Sequence, residues 1–297
     1  MLYEPGTQEP ALATAVADSR AHALVVRSTQ VTRATLDAAK ELTLIIRAGA
    51  GTDTIDVPAA TARGVRVCNC PGTNSVAVAE LTFGLMIALD RRIVDETADL
   101  RRGVWNKKEY SRARGLKGRT LGIVGLGRIG AEVAKRAHAF EMELIYADTV
   151  RREDMEREFA LKRVTLDELL ATADFVTLHV PGGADTRHLI GPAQLARMKP
   201  TAFIVNCSRG GVIDEQALCA AIRDGKLAGA ALDVWEIEPA ANDKLFRDPA
   251  GKDPHVYGTH HVGASTEQAQ SAVGEETVRI IKTLIRSGRL INCVNPK

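Results

Sequence analysis

The sequence predicts a doubly wound parallel α/β fold in two domains. Three observations carry the prediction: short β-branched and apolar runs recur along the chain, longer segments of helical period separate them, and the runs lack strict apolar/polar alternation. A parallel strand covered on both faces is apolar throughout, whereas a strand wetted on one face alternates. The length of 297 residues fits two domains of roughly 150 residues each.

The apolar runs come in order. ALVV ends before Arg27; LTLII starts at Leu42, VRVC at Val65, TLGIVG at Thr120, ELIYAD at Glu143, FVTLHV at Phe175, AFIVN at Ala202 and AALDV at Ala230. Each reads as a strand. Helices are expected between them at 32–41, 129–140, 166–172 and 215–225, with a final one at 267–287. The longest helical pattern, 75–102, is apolar in its first half and charged in its second, the profile of a helix that leaves one core and enters solvent. A boundary is therefore expected near Asp90 and a second crossing near Thr266. Residues 1–89 and 267–297 then form one domain, and 90–266 the other.

Apolar residues make up 45% and charged residues 26%, which argues against a disordered chain and against a coiled coil. Lys plus Arg number 39 and Asp plus Glu 37, so a net charge of +2 gives no global field to recruit nucleic acid or an anionic membrane. Neither partner is expected. Five cysteines, dispersed from Cys68 to Cys293, form no dense framework, and a reduced, cytoplasmic setting fits them. The start MLYEPGTQEP has no basic stretch leading into an apolar core, so no secretory leader is expected. Residues 76–89 are apolar but contain Glu80 and are too short to span a bilayer. Cys68 and Cys70 lack a second ligand pair, and no metal is expected.

One segment carries chemistry on its own. TLGIVGLGRIGAEVAKRA reads as strand, glycine turn and amphipathic helix; Gly125, Gly127 and Gly130 form GxGxxG, and Asp148 follows 18 residues later at the end of the next apolar run. Gly125 permits a tight turn, Gly127 lets the backbone approach a pyrophosphate, Gly130 lets the helix pack on the strand, and the helix N-terminus offers free N–H groups. Asp148 would accept from both ribose hydroxyls and repel a 2′-phosphate, which favours NAD over NADP. Three glycines alone could be a structural turn. With the strand, the helix and the acid they predict a Rossmann nucleotide-binding domain with NAD as cofactor, although Arg151 and Arg152 stand where a phosphate could meet them.

Five segments in order carry a wider resemblance: RAGAGTDTID from Arg47, NCPGTNSVAVAE from Asn69, GLGRIG from Gly125, NCSRGGVIDE from Asn206 with LDVWEIEP from Leu232, and THHVGASTEQAQ from Thr259. On these the chain resembles the D-isomer-specific 2-hydroxyacid dehydrogenases, most closely their D-3-phosphoglycerate dehydrogenase group. The resemblance implies a catalytic set of Arg209 in NCSRGG, Glu238 before Pro239, and His261 two residues before Gly263. It implies further cofactor contacts at Arg128, Ile129, Val180, Cys207, Asp233 and Gly263, and carboxylate-binding loops at Gly49, Asn74 and Ser75. Arg27 and Arg47, with Lys107 as an outlying candidate, are the cations that a phosphorylated substrate would require.

The chemistry asks for these residue types. Reducing a 2-keto acid needs a proton donor for the developing alkoxide, which a histidine titrating near neutrality can be. A carboxylate beside the ring raises its pKa and fixes its orientation, and an arginine fork can hold the substrate carboxylate. Each residue also has a plainer reading. Arg209 could cap a turn, Glu238 could close a loop, Asp233 could cap a helix or turn, and His261 competes with His255 and His260 as a solvated loop histidine.

From the resemblance, 1–89 and 267–297 make a flavodoxin-like substrate domain that lacks its first βα unit, since the family opens with a strand and helix before the segment that here begins MLYEPG. A homodimer joined through the nucleotide domain is implied, with the loop around Trp105 near the interface. The expected activity is NAD-dependent interconversion of 3-phosphoglycerate and 3-phosphohydroxypyruvate, a step of serine biosynthesis. The alternatives are a hydroxypyruvate or glyoxylate reductase and, in another class, an NAD-sensing corepressor without catalysis. Ala50 stands where the phosphoglycerate enzymes commonly carry Thr, and without a regulatory extension after Lys297 no feedback through one is expected.

Overall fold

The computed structural model describes residues 4, 6–239 and 243–296. Met1, Leu2, Tyr3 and Pro5, part of the stretch read above as lacking a leader, lie outside the described residues. The chain forms two compact units, Met1–Asn74 with Ser265–Lys297, and Ser75–Ala264.

In the first unit, β1 (Ala23–Val26), β2 (Leu44–Arg47) and β3 (Arg66–Asn69) lie parallel in chain order. Ala23 pairs with Leu44, and Leu44 with Arg66. Successive side chains of β2 leave on opposite faces. Ile45 therefore joins Val16, Leu36 and Val67 in one core, while Leu44 and Ile46 join Cys68, Cys70 and Ile280 of the Glu267–Ser287 helix in another. Two covered faces explain why LTLII does not alternate.

The second unit holds β4 (Thr120–Val124), β5 (Glu143–Ala147), β6 (Lys162–Arg163), β7 (Phe175–Leu178), β8 (Phe203–Asn206), β9 (Gly229–Leu232) and β10 (Val256–Gly258). They form one parallel sheet in the order β10-β9-β8-β7-β4-β5-β6. The chain runs outward from β4 to β6 on one side, then restarts at β7 on the other. Strand order thus reverses between β4 and β7, the point at whose carboxyl end sheets of this kind bind ligands. Both faces are covered: Leu121, Ile123 and Tyr146 pack with Met86 and Val133 on one, and Val176 and Ile204 with Leu169 and Leu218 on the other. The doubly wound parallel fold is the expected one, and all eight apolar runs contain a strand. β6 and β10 have no counterpart in the sequence reading, because a two-residue exposed KR and a three-residue VYG carry no periodic signal.

The long helix expected at 75–102 is two helices, Ser75–Arg91 and Ile93–Arg101. Between them Arg92 takes φ 52°, held by Asp95 at 3.0 Å and Glu109 at 2.7 Å, with its guanidinium over the Tyr110 ring. The units divide at Asn74/Ser75 and Ala264/Ser265, where boundaries near Asp90 and Thr266 were expected. The reason is packing. Val78, Phe83, Met86 and Leu89 of the apolar half meet Leu121, Val133 and Ala137, so this helix belongs to the second unit from its first residue. Asp90 is itself buried there, 2.8 Å from Arg119. Among the described residues, no helix is long and apolar enough to cross a membrane, and no three His, Cys, Asp or Glu side chains are grouped to hold a metal ion.

Candidate functional site

The glycine loop follows β4. Gly125 has φ +91°, and a Cβ there would sit 2.7 Å from the His179 carbonyl oxygen, so only glycine allows β4 and β7 to approach this closely. At Gly130 a Cβ would lie 2.2 Å from the Gly125 oxygen. Beside Gly127 there is open space within 4 Å, and this residue caps the Arg128–Ala139 helix without a side-chain bond. Open space in front of uncapped helix N–H groups is what a dinucleotide pyrophosphate requires, so the loop fits the group. Arg128 is exposed and Ile129 half-buried on the first turn.

Asp148, just after β5, accepts from Leu126 N–H at 2.6 Å and from Val150 N–H at 2.8 Å, which ties it to the loop. Arg151 is engaged by Glu156 at 2.9 Å, and Arg152 by Asp154 at 3.1 Å and the Leu126 carbonyl at 3.0 Å. Both arginines are thus committed to neighbours. Val180 lies against the loop, its Cγ1 3.0 Å from a Cβ built on Gly125. The preceding His179 is a residue that sequence reasoning passed over. Its Nε2 meets Thr177 Oγ1 at 2.9 Å, its buried Nδ1 has no partner, and burial pushes its pKa down to about 3, so the ring is neutral.

The candidate acid–base group sits on turns after β8, β9 and β10. Asn206, fully buried, shapes the first: its Oδ1 accepts from Ser208 N–H and Oγ–H, and its Nδ2 donates to Arg209 O at 2.8 Å. Arg209 lies against Gly182 and donates to Ser208 O at 2.7 Å. Gly210 lets this turn touch the next one, because a Cβ there would be 1.9 Å from the Trp235 carbonyl oxygen. Cys207 is buried, and burial pushes its thiol up to about 12.

Asp233, 2% exposed, organises the histidine turn. One carboxylate oxygen accepts from Thr259 Oγ1 (2.6 Å) and Val262 N–H (2.8 Å), the other from Gly263 N–H (2.9 Å), while its carbonyl accepts from His261 N–H (2.7 Å). His261 is held at φ 53°. Its Nδ1 lies 2.9 Å from Glu238 Oε2, leaving Nε2 available. The hydrogen bond to Glu238 raises the His261 pKa, and this outweighs burial. Burial works against the Glu238 carboxylate, yet the bond to and charge of His261 hold its pKa below the usual range. The Arg209 charge acts on both members of the pair. The two acids of WEIEP are sorted: Glu236 meets His188 Nε2 at 2.7 Å, and Glu238 meets His261.

Sequence reasoning also passed over the anchor of this loop. Glu236 N–H donates to Glu215 Oε1 at 2.7 Å and Ile237 N–H to Asp248 Oδ2 at 3.1 Å. Both acids are nearly fully buried, and Glu215 Oε2 has no donor. Burial, with the hydrogen bond and charge of Asp248, pushes Glu215 up to about 8, so it carries a proton at neutral pH. In the sequence Glu215 reads as an ordinary acid in a helix's first turn.

Of the residues expected for the substrate, Arg27, Arg47, Gly49 and Asn74 belong to the first unit, and Ser75 and Lys107 to the second. Arg27 is exposed after β1. Arg47 ends β2 and folds over Gly49, where a Cβ would meet its guanidinium. Cys70 N–H donates to Gly49 O at 2.9 Å, and Asn69 Nδ2 to Ala50 O at 2.6 Å. Asn74 closes the first unit, and Ser75 opens the second with its hydroxyl buried and unpartnered. Lys107 is exposed.

The sheet order and the glycine loop define a Rossmann-type dinucleotide-binding unit. Residues 83–263 match the family described as D-isomer specific 2-hydroxyacid dehydrogenase, NAD binding domain, and the chain belongs to that family. It is 47% identical over 277 residues to D-3-phosphoglycerate dehydrogenase of Methanocaldococcus jannaschii, covering 93% of this chain and 52% of the relative. It is 45% identical over 263 residues to hydroxypyruvate reductase of Thermotoga maritima, covering 88% of this chain and 84% of the relative. The chain therefore spans about half the length of the phosphoglycerate dehydrogenase it matches. Among solved structures, the glyoxylate reductase of Paecilomyes thermophila superposes with a TM-score of 0.87 at 32% identity, covering 98% of this chain and 89% of that one.

Proposed function

We propose that the protein is an NAD-dependent D-2-hydroxyacid dehydrogenase that interconverts 3-phosphoglycerate and 3-phosphohydroxypyruvate, a step of serine biosynthesis. One observation carries this reading: an imidazole and a carboxylate 2.9 Å apart, both under the charge of Arg209, on the carboxyl side of a sheet that also bears the glycine loop. Gly125, Gly127, Arg128, Ile129, Gly130, Asp148, Val180, Cys207, Asp233 and Gly263 would hold the dinucleotide. Bound there, it supplies the hydride that the protein's own side chains cannot.

The chain supplies the rest. Arg209 binds the substrate carboxylate through its planar fork and polarises the neighbouring carbonyl. Charged His261 gives the Nε2 proton to the oxygen of C2, and in the oxidative direction takes it back. Glu238 keeps the ring protonated and oriented through Nδ1. Besides its place at the dinucleotide, Asp233 accepts with both oxygens from the histidine turn and so fixes where His261 stands. Gly49, Asn74 and Ser75 would receive the substrate carboxylate, and Arg27 and Arg47 its phosphate. A homodimer in the cytoplasm completes this reading.

NADH oxidation against a panel of 2-keto acids is the decisive assay. The proposal expects phosphohydroxypyruvate to have the highest kcat/KM; a preference of about tenfold or more for glyoxylate or hydroxypyruvate defeats the phosphoglycerate assignment. Hydroxypyruvate reduction is the second reading, supported because the chain covers 84% of the hydroxypyruvate reductase it matches. Absence of turnover with every keto acid, alongside tight NADH binding, would favour the corepressor.

Two variants test the parts. Glu238→Gln removes the anion that raises the His261 pKa. Reduction requires the charged ring, so its rate falls as pH rises through that pKa. The falling limb should move to lower pH by about one unit or more, and an unmoved limb separates Glu238 from the proton step. Asp148→Ala should narrow the preference for NADH over NADPH by roughly ten- to hundredfold, the worth of one or two charged hydrogen bonds. A parent enzyme that already prefers NADPH would contradict the role given to Asp148.

A further inference from the structure

Cys68 in β3 faces Cys293 across an isolated antiparallel bridge. The flanking hydrogen bonds identify the kind of pair. Asn69 N–H donates to Asn292 O at 3.2 Å and Val294 N–H to Val67 O at 2.8 Å, which leaves 68 and 293 opposite one another as the non-hydrogen-bonded pair. In such pairs the Cα atoms are about 4.5 Å apart with both side chains on one face. That separation lies inside the range a disulfide spans, roughly 4.4–6.8 Å. The register is fixed by Asn295, whose Oδ1 accepts from Val67 N–H at 2.7 Å and whose Nδ2 donates to Val65 O and Thr61 Oγ1 at 2.9 Å. The Cys293 thiol itself donates to Asn295 Oδ1 at 3.5 Å, which holds it beside this register.

We propose that Cys68 and Cys293 are a reversible dithiol–disulfide pair, oxidised by a small-molecule disulfide of the glutathione type. Cys293, only partly buried, reacts first. Its thiolate attacks one sulfur of the oxidant, the oxidant's S–S bond breaks, and one glutathione thiolate leaves. Cys68 then gives up its proton, attacks Cys293 Sγ and expels the second glutathione thiolate. Two protein thiols are oxidised to one disulfide, and one small disulfide is reduced to two thiols. Burial, together with its thiol neighbour Cys293, pushes Cys68 up to about 12, so it is the resolving and not the initiating thiol; capping Cys293 removes the neighbour's contribution. Cys70 is occupied differently, its Sγ 3.5 Å from Thr277 Oγ1. Cys207 and Cys219 belong to the other compact unit.

The consequence lies in chain order. The first unit is made of two pieces separated by the whole of 75–264. A bond from Cys68 to Cys293 joins those pieces covalently, so that oxidation would hold the unit together against local unfolding.

The test incubates the native protein with glutathione disulfide, removes the excess, alkylates under denaturing conditions and digests. The expected result is one linked peptide pair carrying Cys68 and Cys293, with the other three of the five thiols alkylated, and a Tm raised by about 5–10 °C. Dithiothreitol should reverse both. Cys293→Ser should abolish the linked pair and the Tm rise, while Cys70→Ser keeps them. Glutathione remaining on Cys293, alkylation of both thiols, or a linkage between Cys68 and Cys70 would each overturn the pairing.

Discussion

His261→Asn should lower kcat for keto-acid reduction by about 10²–10⁴-fold, the range for loss of a positioned acid–base group, while NADH binding stays within about twofold. Asparagine is the informative replacement because position 261 has φ 53°, a region in which Asn is among the best tolerated residues. The backbone N–H that donates to Asp233 is retained, so the turn from Thr259 to Gly263 keeps its form. What disappears is a group that can be protonated near neutrality. Steady-state kinetics with fluorescence titration of NADH separates the two effects. Turnover near that of the parent would remove His261 from the proton step.

The second large effect is expected at Gly210. A methyl group there would stand 1.9 Å from the Trp235 carbonyl oxygen and 2.2 Å from its carbon, and neither backbone atom can rotate aside. The turn carrying Arg209 and the turn carrying Glu238 must therefore part by an ångström or more. Overpacking of this kind costs about 1–3 kcal/mol, and more when backbone is the obstacle. Gly210→Ala should lower Tm by roughly 5 °C or more and reduce kcat/KM by about tenfold or more. Gly127→Ala is the control: nothing lies within 4 Å of its added Cβ, so its Tm should be unchanged and any loss should fall on the KM for nucleotide.

How much was legible depends on whether the physics is local. The glycine loop was readable because a tight turn, a close helix and an acid at the next strand end all fall within one βα unit, each demanding a particular residue type. The inner strands were readable because apolar runs covered on both faces do not alternate, and β1, which exposes Ala23 and Val25, was readable from its apolar composition alone. The unit boundary was not. Where the Ser75–Arg91 helix packs depends on which partner offers a matching apolar face, and Leu121, Val133 and Ala137 lie far along the chain. The break at Arg92 was equally hidden, since only Asp95, Glu109 and Tyr110 in place around its guanidinium explain it. At the site, residue type named Arg209, Glu238 and His261 as candidates only through resemblance. Nothing local says that Glu238 pairs with His261 while Glu236 pairs with His188. Glu215 gave no signal at all, because its proton results from burial beside Asp248, a residue 33 positions later.

That proton has a thermodynamic cost that rises with alkalinity. Unfolded, Glu215 ionises near the ordinary 4.5; folded, it does so only near 8. Between those values the folded chain binds more protons than the unfolded one, so this residue's contribution to stability is greatest in mild acid, declines through neutrality and levels off above about pH 8. Glu215→Gln, whose amide can both accept from Glu236 N–H and donate toward Asp248, should flatten that decline in melting curves recorded from pH 5 to 9. If parent and variant keep the same slope, the carboxyl group is already ionised in the native state. The segment bearing Glu238 would then be moored to an anion and not to an acid.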